Sequence, residues 1–166
     1  MEQLWQATMD EFGDAMYSFE QIPNWLRSAA WSGVFIYKNE CILFLFKRLQ
    51  ARRDIVVHNI ISREYGKGYA TAAILRLTIE ASYVNGTVCI ENIMNPASQA
   101  LATRLIRDYG FTNTPNNSDE LKLLMGEYLN TSNVYSPLRI GKYMRRYHDY
   151  LYTGEEPPLK RSRTRY

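Results

Sequence analysis

The sequence predicts a mixed α/β fold, one central sheet flanked by helices, and three observations carry that prediction. The apolar pattern changes period near residue 66, from β-type runs before it to helical spacing after it. Strand-like and helix-like segments then alternate, which places the strands in one sheet with helical connections. Hydrophobic residues make up 46% of the chain and charged residues 22%, so 166 residues can bury a core and wholesale disorder is excluded.

Taken in order, Trp5, Met9, Phe12, Met16 and Phe19 fall at steps of four and three, an apolar stripe along one helix, broken near Gly13. "NWLRSA" after Pro23 predicts a short helix. "GVFIYKNECILFLFKRL" gives two β-rich runs split at "KNE", where Asn tolerates the positive φ of a tight hairpin turn. Asp54 to Ile61, rich in β-branched residues, is a third long strand. From Lys67 to Tyr83, Ala70, Ala73, Ile74, Leu77 and Ala81 recur at helical spacing, with Gly86 placed as a C-terminal cap. Gly86 to Ile93 reads as a strand. "PASQALATRLIRDYGF" reads as a helix, with Pro96 in its first turn, Asn95 as N-cap and Gly110 past its end. Leu121 to Met125 reads as a further strand.

The longest aliphatic and aromatic run, Cys41 to Phe46, is too short to cross a bilayer, and the N-terminus lacks a signal-peptide pattern. The expectation is a soluble cytoplasmic protein with no membrane partner. Cys41 and Cys89 sit inside apolar strand runs and are expected to be buried and reduced. The net charge of +3 is unevenly spread: residues 1–126 sum to −1 and residues 127–166 to +4. The globular domain is therefore expected to end at 126. An extension of 127–166 follows, with an amphipathic helix beginning after Ser136 and a basic end at Lys160, Arg161, Arg163 and Arg165. The apolar face of that helix packs on the domain or on a second copy. The cations are either a solubilising end or a contact for an acidic protein or a nucleic acid, weakened by salt. His148 lies among tyrosines and gives no metal spacing.

The stretch "REYGKGYAT", Arg63 to Thr71, carries the chemistry. A helix N-terminus leaves its first N–H groups without partners and favours an anion. Gly66 and Gly68 remove the side chains that would block the approach, Lys67 adds a cation, and the N–H groups from Gly66 through Tyr69, Ala70 and Thr71 can wrap a pyrophosphate. The same residues also read as a tight turn before an ordinary helix. Neither the P-loop nor the dinucleotide-binding pattern fits, since both need glycines at other spacings.

Arg63, Gly66 and Gly68 match the arrangement [QR]-x-x-G-x-[GA]. With the strand that follows, "NPAS" at Asn95 to Ser98, and "GF" at Gly110 and Phe111, the chain from about Trp31 to Met125 resembles the GNAT superfamily of acyl-coenzyme A N-acyltransferases, and its phage-encoded members most. That resemblance implies a GNAT-like central mixed sheet whose strands Asp54–Ile61 and Gly86–Ile93 splay apart. Acetyl-coenzyme A lies in the gap, its pyrophosphate on the glycine corner and its pantetheine arm along the strand edge near Ile61. It also implies an N-acetyltransferase acting on an amine of a protein, peptide or small molecule, in the host cytoplasm if the gene is a phage's.

Such a reaction needs a neutral amine, a donor for the developing oxyanion, and a proton for the thiolate. The resemblance puts the oxyanion donor in Asn59 to Ser62 and the base on the same strand. There His58 is the one side chain that ordinarily titrates near neutrality, with Glu91 and Asp54 as weaker candidates. The family's usual tyrosine position is Ile106 here, which leaves Tyr109 as the substitute acid. Ser98 either contacts the pantetheine arm or caps its own helix. A catalytically inactive GNAT-fold binding protein is the rival reading, drawn from Ile106 and the basic extension, and modification of a nucleic-acid base is a third.

Overall fold

The computed structural model describes residues 2–48, 54–82, 84, 86–91, 93, 96–109, 111–113 and 134–136. Asn95, Gly110, the strand expected at Leu121 to Met125, His148, and the amphipathic helix and basic end of 127–166 lie outside them. Four α-helices are described: α1 (Glu2–Phe12), α2 (Ile22–Arg27), α3 (Tyr69–Ser82) and α4 (Pro96–Tyr109). The strands are β1 (Tyr17–Ser18), β2 (Ser32–Tyr37), β3 (Cys41–Lys47), β4 (Asp54–Ser62), β5 (Thr87–Ile90), β6 (Thr112–Asn113) and β7 (Val134–Ser136). They form one mixed sheet in the order β1-β2-β3-β4-β5-β7-β6. The fold is thus mixed α/β. The sheet takes in Val134–Ser136, beyond position 126.

Local chemistry sets the hairpin. Lys38 and Asn39 have φ of 50° and 58°, and the Glu40 N–H donates to the Tyr37 carbonyl at 2.9 Å. Two consecutive left-handed residues make the turn whose twist suits antiparallel strands. β2 and β3 then pair from Tyr37↔Cys41 to Ser32↔Phe46.

The sheet separates two buried clusters. On one side Trp5 of α1 packs on Ile42 and Ile61, with Met9, Met16 and Phe44 at the margin. The larger cluster draws on α2, α3 and α4 against Phe35, Leu43, Leu45, Ile55 and Val57. The N-terminal stripe divides between them. α1 stops at Phe12, Gly13–Ala15 form a 3₁₀ turn, and Met16 is extended. Phe19 therefore enters the larger cluster across the sheet from Trp5, not the same helix face as the stripe predicted. α3 is buried on nearly every side, and it ends where Gly86 and Val84 donate to the Ala81 carbonyl at 2.8 and 3.1 Å.

Lys47 is 4% exposed, and its ammonium donates to the carbonyls of Trp25 (2.7 Å), Leu26 (3.4 Å) and Ser28 (2.8 Å). These are carbonyls at the end of α2, where a helix lacks internal partners and its dipole favours a cation. The same ammonium lies 4.9 Å from the centre of the Trp25 ring. β3 is in this way tied to the helix opposite it.

Both cysteines are free and buried. Burial pushes the Cys41 thiol up to about 12 and raises that of Cys89. Only the thiolate reacts, so a thiol reagent at about pH 8 is expected to label neither residue in the native protein and both in denaturant. Labelling of either at the rate of a free thiol would contradict this packing.

Candidate functional site

The site begins where two parallel strands part. β4 and β5 pair from Asp54↔Thr87 to Val57↔Ile90, and the Glu91 N–H still reaches the Val57 carbonyl at 3.1 Å. β4 runs on to Ser62 without β5 beside it. Its other edge stays paired with β3, but not in simple register. Leu45 faces Val57 while Phe44 faces Asn59, so His58 is an extra residue on β4. Such a bulge re-aims side chains. Val57 and Ile60, three positions apart, both pack on the larger cluster, whereas Ile61 packs on Trp5 across the sheet.

The gap opens into a cavity of about 350 Å³, within the range of small-molecule sites. One wall is β4, from Val57 through His58, Asn59 and Ile60 to Ser62. A second is the glycine corner and the first turn of α3: Glu64, Tyr65, Gly66 and Gly68, then Tyr69, Ala70 and Thr71. α4 closes the third side with Ala97, Ser98, Ala100, Leu101 and Arg104.

The corner has the backbone that its glycines predict. Gly66 and Gly68 have φ of +76° and +83°, a region other residues enter at a cost. A Cβ built on Gly66 would meet nothing within 4 Å, so the corner is open to a ligand. The first backbone donor of α3 to bond back is Ala72, to the Gly68 carbonyl at 3.0 Å, and the residues before it, Gly68 to Thr71, line the cavity. Arg104 reaches over from α4 and donates to Thr71 Oγ1 at 3.3 Å, bringing a guanidinium to that helix end.

At the fork itself, His58 Nδ1 lies 2.8 Å from Glu91 Oε2. The Phe46 ring lies beside the imidazole, with centroids 5.9 Å apart. Asp54 is at the other end of β4 and accepts from Thr87 Oγ1 at 2.5 Å.

The structure brings His58, Gly66, Gly68, Tyr69, Ala70, Thr71 and Ser98 to one cavity. It does not bring Arg63, Lys67, Ile61 or Tyr109 there. The Arg63 N–H donates to the Glu40 carbonyl at 2.8 Å, and its guanidinium turns to the Asn39 carbonyl (3.4 Å) and the Trp5 ring (5.5 Å). Lys67 is exposed outside the lining, and the Ile61 side chain is buried on the far face of the sheet. Tyr109, 2% exposed, belongs to the core at the opposite end of α4 from Ser98. Within Asn59 to Ser62, the Ile60 N–H already donates to Asn59 Oδ1 at 2.9 Å.

Sequence reasoning missed Tyr65 and Arg104. Arg104 had a signal, since Ala97, Ala100, Leu101 and Arg104 fall at helical steps on one face of α4. Tyr65 had none beyond its place in the glycine corner.

No protein-family model, curated protein or solved structure matches this chain. Among the described residues no helix is long and apolar enough to cross a membrane, and no group of side chains is suited to hold a metal ion.

Proposed function

We propose that the chain is an N-acetyltransferase of the GNAT kind, moving an acetyl group from acetyl-coenzyme A to an amine. The observation that carries this reading is the parting of β4 from β5 directly beside an open glycine corner at a helix N-terminus. A pyrophosphate fits the corner because Gly66 leaves it clear, the first turn of α3 lines the cavity beside it, and Arg104 supplies charge. The edge of β4 beyond Val57 suits an extended arm that bonds as a strand does.

Acetyl-coenzyme A supplies the thioester that is cleaved. His58 stands at the fork, where it takes the proton that leaves the acceptor ammonium and so frees the nitrogen lone pair. An N–C bond forms as the C–S bond breaks, and the proton lost by the acylated nitrogen goes to the departing thiolate. Tyr65 and Tyr69, in the wall of the cavity, stand where the core-bound Tyr109 does not.

Isothermal titration with acetyl-coenzyme A is expected to give a Kd in the range of about 1 μM to 1 mM usual for enzyme substrates. Gly66→Val should abolish binding, because a β-branched residue is strained at positive φ and its methyl groups enter the cradle. Absence of binding by the unaltered protein would end the acyl-coenzyme A reading. Binding without thiol release in the presence of any primary amine would favour an inactive binding protein.

A further inference from the structure

We infer that Glu91 is a positioning residue that locks His58 as its Nδ1–H tautomer and leaves the Nε2 lone pair as the proton acceptor. The inference rests on the acetyltransferase reading for its use in catalysis, but the geometry behind it stands alone. An ionised carboxylate only accepts hydrogen bonds, so the 2.8 Å contact from Nδ1 to Glu91 Oε2 places the proton on Nδ1. A neutral imidazole then carries its lone pair on the other nitrogen.

The fold builds this contact from three strands. The bulge gives His58 an aim that regular pairing with β3 would not. The last β4–β5 bond, from the Glu91 N–H to the Val57 carbonyl at 3.1 Å, sets the backbone of Glu91 beside that of His58. Phe46 of β3 supports the ring from the side. The other charged groups of the cavity are engaged elsewhere or set on other walls: Arg104 donates to Thr71, and Glu64 belongs to the glycine corner. His58 is 54% exposed and Glu91 29%. A free histidine in water spends most of its time as the other tautomer, whose Nε2 carries hydrogen and cannot take a proton. Removing the carboxylate should therefore switch off the acceptor nitrogen while leaving the ring in place.

The test is nitrogen NMR on protein labelled at histidine, in a His148→Gln background so that His58 is the sole imidazole of a chain with two histidines. Spectra are taken at about pH 9, where imidazoles are neutral. The parent is expected to show a protonated Nδ1 and an unprotonated Nε2. Glu91→Ala should reverse the two signals, and so should Glu91→Leu, which keeps much of the side chain's bulk but offers Nδ1–H no acceptor. An unchanged tautomer in Glu91→Ala, or a protonated Nε2 in the parent, overturns the inference. Amide spectra that match the parent establish that each variant is folded, and the Leu variant keeps the test decisive if the Ala variant is not. Failure of acetyl-coenzyme A to bind leaves these spectra unaffected and counts against the enzyme reading alone.

Discussion

For the proposed acetyl transfer, His58→Ala should lower kcat by about 10²–10⁴-fold, the range expected for loss of a general base, and leave acetyl-coenzyme A affinity unchanged. The separation follows from the geometry. His58 meets the cavity at the fork of β4 and β5, whereas the groups suited to phosphate lie on the glycine corner, the first turn of α3 and Arg104. The measurement is thiol release from acetyl-coenzyme A with a panel of primary amines, paired with titration of the cofactor. A variant as fast as the parent would remove His58 from the chemistry. Equal loss of cofactor affinity would mean that the imidazole supports the shape of the cavity instead of moving protons.

The second large effect is on stability and owes nothing to the functional reading. Lys47→Met keeps most of the buried aliphatic stem but removes three hydrogen bonds to carbonyls at the end of α2. Hydrogen bonds to a charged group contribute about 1.5–3 kcal/mol, and the cost is moderated because the Trp25 carbonyl keeps the Ser28 N–H (3.0 Å) and Ser28 Oγ (2.7 Å) as donors. The expected loss is about 2–4 kcal/mol, or roughly 5–15 °C in Tm for a chain of this size. Trp25, whose ring lies 4.9 Å from the ammonium, is a fluorescent reporter of the same contact. A loss below about 0.5 kcal/mol, the range of an ordinary surface substitution, would show that the ammonium contributes nothing net.

What could be read from the sequence was whatever local chemistry decides. The "KNE" turn is set by two residues entering positive φ, and Pro96 opens α4 because proline suits a first turn. The change of period at Gly66 located both the corner and α3. The two-residue strands β1 and β6 have no pattern of their own and exist only through partners distant in sequence. The bulge at His58 was equally hidden. An unbroken alternation would put Val57 and Ile61 on one face, and it is the pairing with β3 that sets them on opposite ones. For the site, the glycines were legible because backbone conformation demands them. Arg63 sits in the same stretch, yet its side chain is drawn to Trp5, which no motif records. In the sequence Glu91 stands as a rival of His58, whereas the structure makes the two partners across 33 positions.

The placement of β7 bears on how the protein is made. Val88 to Ile90 pair with Val134 to Ser136, so one edge of β5 waits for a segment that leaves the ribosome long after β5 does. Until then β5 presents an open edge of backbone donors and acceptors, the kind of surface that recruits foreign strands. Nascent chains stalled before Val134 should therefore depend on chaperones more heavily than chains released beyond Ser136.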